Sequence, residues 1–236
     1  MQEQIPGDVA ALAAAEGLGE LRASFGPKRM SAMALTGMAF LTLLGLALVL
    51  PGLYFGWRLL QTPNLNAKQA AKRIRCFEHG LVVSDRTGPV AFRWDSTAVL
   101  QRVTRNHVNG VYVGTSYLYT LFKPDNSKIE LTDFYATPEV WGAAIQHELT
   151  RAQLPGVLEM LGRGEHVRFG DIVVGAGGIS TVKRGGLRWD EIKRIEVKDG
   201  VVCVAKEGKT LAWSNTPVHK IPNFFVFLAV VEHLHG

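Results

Sequence analysis

MSAMALTGMAFLTLLGLALVLPGLYFGW, residues 30–57, contains no charged side chain, and Arg29 and Arg58 bracket it. Read as one helix, these 28 residues exceed the roughly 20 that cross a bilayer core. The run therefore predicts one transmembrane helix at 30–57 and a single-pass membrane protein. It is too long, and begins too far into the chain, for a cleavable signal peptide, so the helix is expected to stay as an anchor. Pro51-Gly52 is expected to kink or end it, and Tyr54, Phe55 and Trp57 sit where an aromatic belt belongs. Gly37 and Gly45 lie eight apart and offer a stripe for pairing with a second copy, giving a homo-oligomer, although no strict GxxxG face forms.

Charge on either side of the run sets the expected orientation. The formal net charge is +5, and the excess is local. Residues 58–107 hold nine Lys/Arg and three Asp/Glu, whereas residues 108–236 hold fourteen of each. Positive charge beside a membrane span reads first as a stop-transfer signal, which places the C-terminal body on the cytoplasmic side of the cell membrane. The same location favours lipid head groups over nucleic acid, whose binders spread basic side chains across a folded face. Lys68, Lys72, Arg73 and Arg75 are the candidate membrane-surface contacts. A wider basic ring would add Arg86, Arg93, Arg102 and Arg105. Only Cys76 and Cys203 are present, too few for a disulfide framework and without metal-ligand spacing.

Beyond the run the pattern is strand-like. The arm 1–29 reads as a short helix or a disordered stretch, and 58–73 as a basic connector. From Ile74 short apolar segments alternate with turns, and Pro138 then opens a helix with Trp141, Ile145 and Leu149 on one face. After a linker at 154–165 the same grammar returns, ending in a helix opened by Pro222. Arg93-Trp94-Asp95 reappears as Arg188-Trp189-Asp190, which points to a duplicated domain, 74–153 and 166–236. Trp94 and Trp189 are expected in the core, with Asp95 and Asp190 in the adjoining turns.

Strands rolling into a small barrel closed by a C-terminal helix resemble the pleckstrin-homology-like superfold, twice in tandem. The fold class expected is thus one transmembrane α-helix plus a mainly β, α+β soluble part. VNGVYVGTSY, LTDFYATPEVWG and WSNTPVHKIPNFFVFL resemble an uncharacterised membrane-protein family of high-GC Gram-positive bacteria, a domain of unknown function. That resemblance implies a bacterial membrane context and supplies no catalytic residues.

The extra length of the first unit falls around Asn106 to Ser116. Asn106, His107, Asn109, Tyr112, Thr115, Ser116 and Tyr117 make this hairpin the candidate partner-binding site, because binding residues concentrate on such segments. The alternative is a longer β-hairpin with Asn109-Gly110 as its turn. Gly175-Ala176-Gly177-Gly178 reads as a turn, since no Lys-Ser/Thr pair follows it. The seven histidines form no HExxH, and His233 and His235 diverge on a helix end. No GxSxG elbow occurs. No metal, cofactor or enzyme activity is expected. The reading is a tethered scaffold for a membrane-associated protein partner; the alternative is an anionic-lipid or small-ligand binder that uses the basic face or the barrel mouth.

Overall fold

The computed structural model describes residues 5–46, 50–85 and 87–235. The chain divides into two compact units, Met1–Arg93 with Asp133–Pro138, and Trp94–Thr132 with Glu139–Gly236.

In the first unit, helix α1 (Gly7–Ala15) leads into strand β1 (Leu21–Phe25), which pairs with β2 (Arg73–Phe77), β3 (Gly80–Asp85) and β4 (Gly88–Arg93) in the order β1-β2-β3-β4. The expected arm is therefore built into the fold. Val9 and Ala13 of α1, with Leu18, pack on Phe77, Val82 and Ala91 of the sheet. Gly17 and Gly19 adopt positive φ (61° and 76°) in the turn between α1 and β1. Leu18 lies between these two glycines, and its carbonyl accepts from the His79 N–H at 2.8 Å. A Cβ on Gly80 would lie 2.4 Å from the Phe92 carbonyl oxygen and 2.7 Å from Leu18 Cδ2, so the close approach there requires glycine.

The charge-free run enters between β1 and β2. It forms helices α2 (Ala32–Leu46) and α3 (Leu50–Leu60), and the short α4 (Ala67–Ala70) follows. Residues 47–49 of the run lie outside the described residues. α2 and α3 lie side by side: a Cβ on Gly45 would meet the Gly52 nitrogen at 2.8 Å, and one on Gly56 would meet Thr42 Cγ2 at 3.4 Å. At the base the Met30 N–H donates to Asn64 Oδ1 (2.9 Å), and Asn64 Nδ2 donates back to the Met30 carbonyl (3.1 Å). The segment 26–28 is held by 134–136 through Lys28 N–H to Phe134 O (2.7 Å) and Ala136 N–H to Gly26 O (2.8 Å).

This overturns the single-pass anchor and the placement built on it, a cell-membrane protein with cytoplasmic C-terminal domains. Among the described residues no helix is long and apolar enough to cross a membrane. The physical reason lies in Pro51 and Gly52. Proline is tolerated in the first turn of a helix but not in its interior, so the chain starts a second helix there. Gly45 and Gly52 then let the two backbones approach.

The second unit opens with β5 (Ala98–Val108), β6 (Val111–Phe122) and β7 (Lys128–Thr132), ordered β5-β6-β7, followed by α5 (Pro138–Gly162). α5 runs on through the first part of the expected linker, with Pro155 inside it. A four-stranded sheet follows, β8 (Val167–Phe169), β9 (Ile172–Gly175), β10 (Gly178–Thr181) and β11 (Gly185–Arg188), then a three-stranded one, β12 (Ile192–Lys198), β13 (Val201–Lys206) and β14 (Ala212–Pro217), and finally α6 (Phe224–His235). Phe169, Ile172, Val174, Ile179, Val202, Val204, Phe224, Phe227 and Val230 fill one core. Trp141, Ile145 and Leu149 of α5 are buried, as the apolar spacing predicts.

The expected pair of barrels is also corrected. The described residues form an α+β fold with four small antiparallel sheets, none closed on itself. What recurs is the element order: four strands, three strands, one helix, twice. Each four-stranded sheet ends at the arginine of an Arg-Trp-Asp tripeptide, Arg93 on β4 and Arg188 on β11. Trp94 is fully buried, while Trp189 is half-buried and donates from Nε1 to the Gly175 carbonyl (3.2 Å).

Candidate functional site

The predicted long hairpin is β5–β6. Its register pairs Ala98 with Phe122 at one end and Val108 with Val111 at the other, with a bulge between Asn106 and His107. Asn109 (φ 50°) and Gly110 (φ 80°) occupy the two central positions of the turn, the left-handed pair that a two-residue hairpin requires. Several of the expected residues meet at this tip. Asn106 Nδ2 donates to Ser116 Oγ (2.7 Å), the Tyr112 hydroxyl bonds Thr115 Oγ1 (2.8 Å), and the His107 and Tyr112 rings stand edge to face at 5.8 Å. Tyr117 lies farther down, opposite Val103. The tip is apolar as well as polar, with Val111 67 % and Tyr112 56 % exposed. Polar side chains that bond one another hold the hairpin's shape, so the surface offered to a partner is its valines and the Tyr112 ring.

A feature not read from the sequence lies at the base of this hairpin. Asn223, just before α6, takes φ 48°. Its Oδ1 accepts from the Val99 N–H (2.7 Å) and its own N–H donates to the Val99 carbonyl (2.9 Å). Its Nδ2 donates to Gln153 Oε1 (2.7 Å) and to the Thr97 carbonyl (3.2 Å). Gln153 in turn donates to the carbonyls of Trp94 (2.7 Å) and Thr97 (2.9 Å). Asn223 thus bonds the outer edge of β5 as a neighbouring strand would. In an antiparallel strand both main-chain polar groups of alternate residues face the same side. Val99 faces outward, so Gln101, Val103 and Arg105 face outward too.

These residues form one wall of a cleft of about 830 Å³; the other is Val197, Asp199, Gly200, Val218, His219 and Phe224. Arg102 and Arg105 give it a positive character, relieved by Asp199. Burial, then the charges of Arg102 and Lys220, hold the His219 imidazole below its ordinary range. Behind the strand Tyr119 is buried, and burial pushes its phenol up to about 12. Its hydroxyl accepts from Gln146 Nε2 (2.5 Å), which also donates to Gln101 Oε1 (2.8 Å).

The four candidate membrane-surface residues fall on different footings. Lys68 on α4 is exposed; Lys72 is half-buried over the Phe134 ring at 5.2 Å. Arg73 donates to the Ala70 carbonyl (2.8 Å), and Arg75 is only 5 % exposed and donates to Ser84 Oγ (3.3 Å). Arg75 therefore has little surface to offer. Of the wider ring, Arg93 donates to the Glu16 carbonyl (2.8 Å), Arg102 and Arg105 line the cleft, and Arg86 lies outside the described residues. Gly175 and Gly178 end β9 and begin β10, with a tight turn between. Among the described residues no group of three or more His, Cys, Asp or Glu is placed to hold a metal.

No curated protein and no solved structure matches the chain. The sequence does match, over residues 3–235, a family of unknown function, DUF6585. A match across nearly the whole chain makes it a member, and this protein belongs to DUF6585.

Proposed function

We propose that this protein is a non-catalytic interaction module that captures an extended, acidic segment of a protein partner as an added strand on β5. The observation that supports this is the use of the β5 edge by Asn223. One asparagine already occupies the edge at Val99, and beyond it the outward groups of Gln101, Val103 and Arg105 border a cleft wide enough for a chain. Strand addition draws affinity from main-chain hydrogen bonds and specificity from the side chains along the edge. Arg102 and Arg105 select acidic residues, and the exposed valines and Tyr112 of the tip grip apolar ones.

The test uses a fluorescein-labelled peptide alternating Glu with Val, and its Lys-Val counterpart as control. The acidic peptide is expected to bind in a salt-sensitive way, and the basic one not to bind. Arg102→Glu with Arg105→Glu should weaken binding at least tenfold. Val103→Pro removes one outward donor and leaves the β5–β6 ladder intact, because an edge strand tolerates proline where its N–H faces solvent. It should abolish binding without lowering the melting temperature by more than a few degrees. Equal binding of both peptides, or binding indifferent to Val103→Pro, would refute strand addition.

A further inference from the structure

The apolar hairpin α2–α3 exposes what soluble folds hide. Met33, Phe40, Leu41, Leu43, Leu44 and Leu46 of α2 are all exposed, Phe40 by 63 %, and on α3 Leu50, Leu53, Tyr54, Trp57 and Leu60 are exposed too. At about 100° per residue the exposed side chains of α2 sweep roughly two-thirds of its circumference. The remaining side is where Thr42 and Gly45 meet α3.

We infer that this hairpin buries itself in one leaflet of a lipid bilayer, entering and leaving by the same face. The distribution of apolar surface decides between occupants. A protein partner, including a second copy, covers one stripe of a helix, whereas a helix apolar all round needs an apolar medium on every side. Length gives the depth: 15 and 11 residues make helices of about 22 and 16 Å, both short of a core about 30 Å thick. The shorter matches one leaflet of about 15 Å, and the longer fits it when tilted or with its first turn among the head groups.

Polar groups obey the same logic. Thr36 and Thr42 turn their hydroxyls back to the carbonyls of Ala32 (3.0 Å) and Met38 (2.8 Å), so neither is left without a partner in hydrocarbon. The Gly45–Gly52 approach is the small-residue packing that joins helices where no hydrophobic effect operates between them. At the base the surroundings become cationic. Between Leu21 and Phe77 the chain has eight Lys/Arg and no Asp or Glu, and Lys28, Arg29, Arg58 and Lys68 are exposed. Those four belong at the phosphate level, with Trp57 beside Arg58 at the interface.

The test uses the full chain with vesicles of phosphatidylcholine alone or mixed with phosphatidylglycerol. The protein should float with both, more tightly with the anionic mixture, and stay bound in high salt. A fluorophore on Leu46→Cys, in a Cys203→Ser background, should be quenched more by nitroxides deep in the acyl chain than near the head group. Cysteines placed at Arg29 and at Leu65 should both react with an impermeant reagent from one side of the bilayer. Phe40→Asp with Leu44→Asp should weaken flotation more than tenfold while the far-ultraviolet circular dichroism stays unchanged. Three outcomes would overturn the inference: a wild-type chain left in the aqueous fraction, a dimer in water that hides the labelled Leu46→Cys, or the two ends reacting from opposite sides. Because the depth measurement uses the apolar hairpin almost intact, it decides even where the aspartate variant misfolds.

Discussion

At the scale of single residues, Asn223 does the work of several. It bonds β5, Thr97 and α5 through four hydrogen bonds from one short side chain and its own amide. Replacing it with Ala leaves the buried Val99 N–H and Gln153 Oε1 without partners, a loss expected to cost about 3 kcal/mol. Chemical denaturation should show that loss at unchanged m-value. Nothing around it in the sequence announces this role, since its partners are 70 to 126 positions away; a lone asparagine before an apolar helix reads only as a cap. Tyr119 carries a second consequence. Its folded pKa of about 12 lies above the unfolded value near 10. The stability it contributes is therefore complete below pH about 10 and lost as pH rises toward 12, by up to about 3 kcal/mol. Tyr135 is pushed up to about 12 by burial and by the Asp85 charge, and acts in the same direction. Melting curves across that range should show the decline, and Tyr119→Phe should make it shallower.

At the scale of elements, legibility depended on how local the deciding contacts are. Strands from Ile74 onward were readable because their turns are adjacent and their partners are neighbours, as Asn109-Gly110 illustrates. A Cβ at Gly110, where φ is 80°, strains the turn by about 1 kcal/mol. Gly110→Ala should accordingly speed amide exchange at Val108 and Val111 several-fold while leaving β8–β11 unchanged. β1 was not readable, because Leu21–Phe25 pairs with residues 74–77 across some fifty positions that include the apolar hairpin. The hairpin was misread as one span because length and charge alone do not distinguish one long helix from two short ones. The signal that separates them is Pro51 in the first turn of α3, together with Gly45 and Gly52 seven residues apart. The β5 edge was legible only as a long hairpin; its open side follows from Asn223, which the sequence places far away.

At the scale of the whole molecule, the return of a strand-rich stretch ending in a helix was visible in the repeated Arg-Trp-Asp and in the alternation of strands and turns. The full order of four strands, three strands and a helix was not, because β1 lies before the apolar hairpin. Closure of those strands into barrels was not, because closure depends on strand tilt and register, which alternation leaves open. The uneven charge is equally instructive: the basic excess falls on the apolar hairpin's base and on the β5 cleft, so both proposed surfaces face acidic counterparts. The two copies of the element order differ most in the insertion of α2–α4 between β1 and β2; they differ also in the hairpin after the tripeptide, which is longer as β5–β6 than as β12–β13. Strand addition depends on the β5 edge being open. Residue-resolved hydrogen exchange on the free chain tests it most directly: the amides of Gln101, Val103 and Arg105 should exchange rapidly and those of Leu100, Arg102 and Thr104 slowly, with the acidic peptide closing the gap. Uniform protection along β5 in the free chain would contradict it.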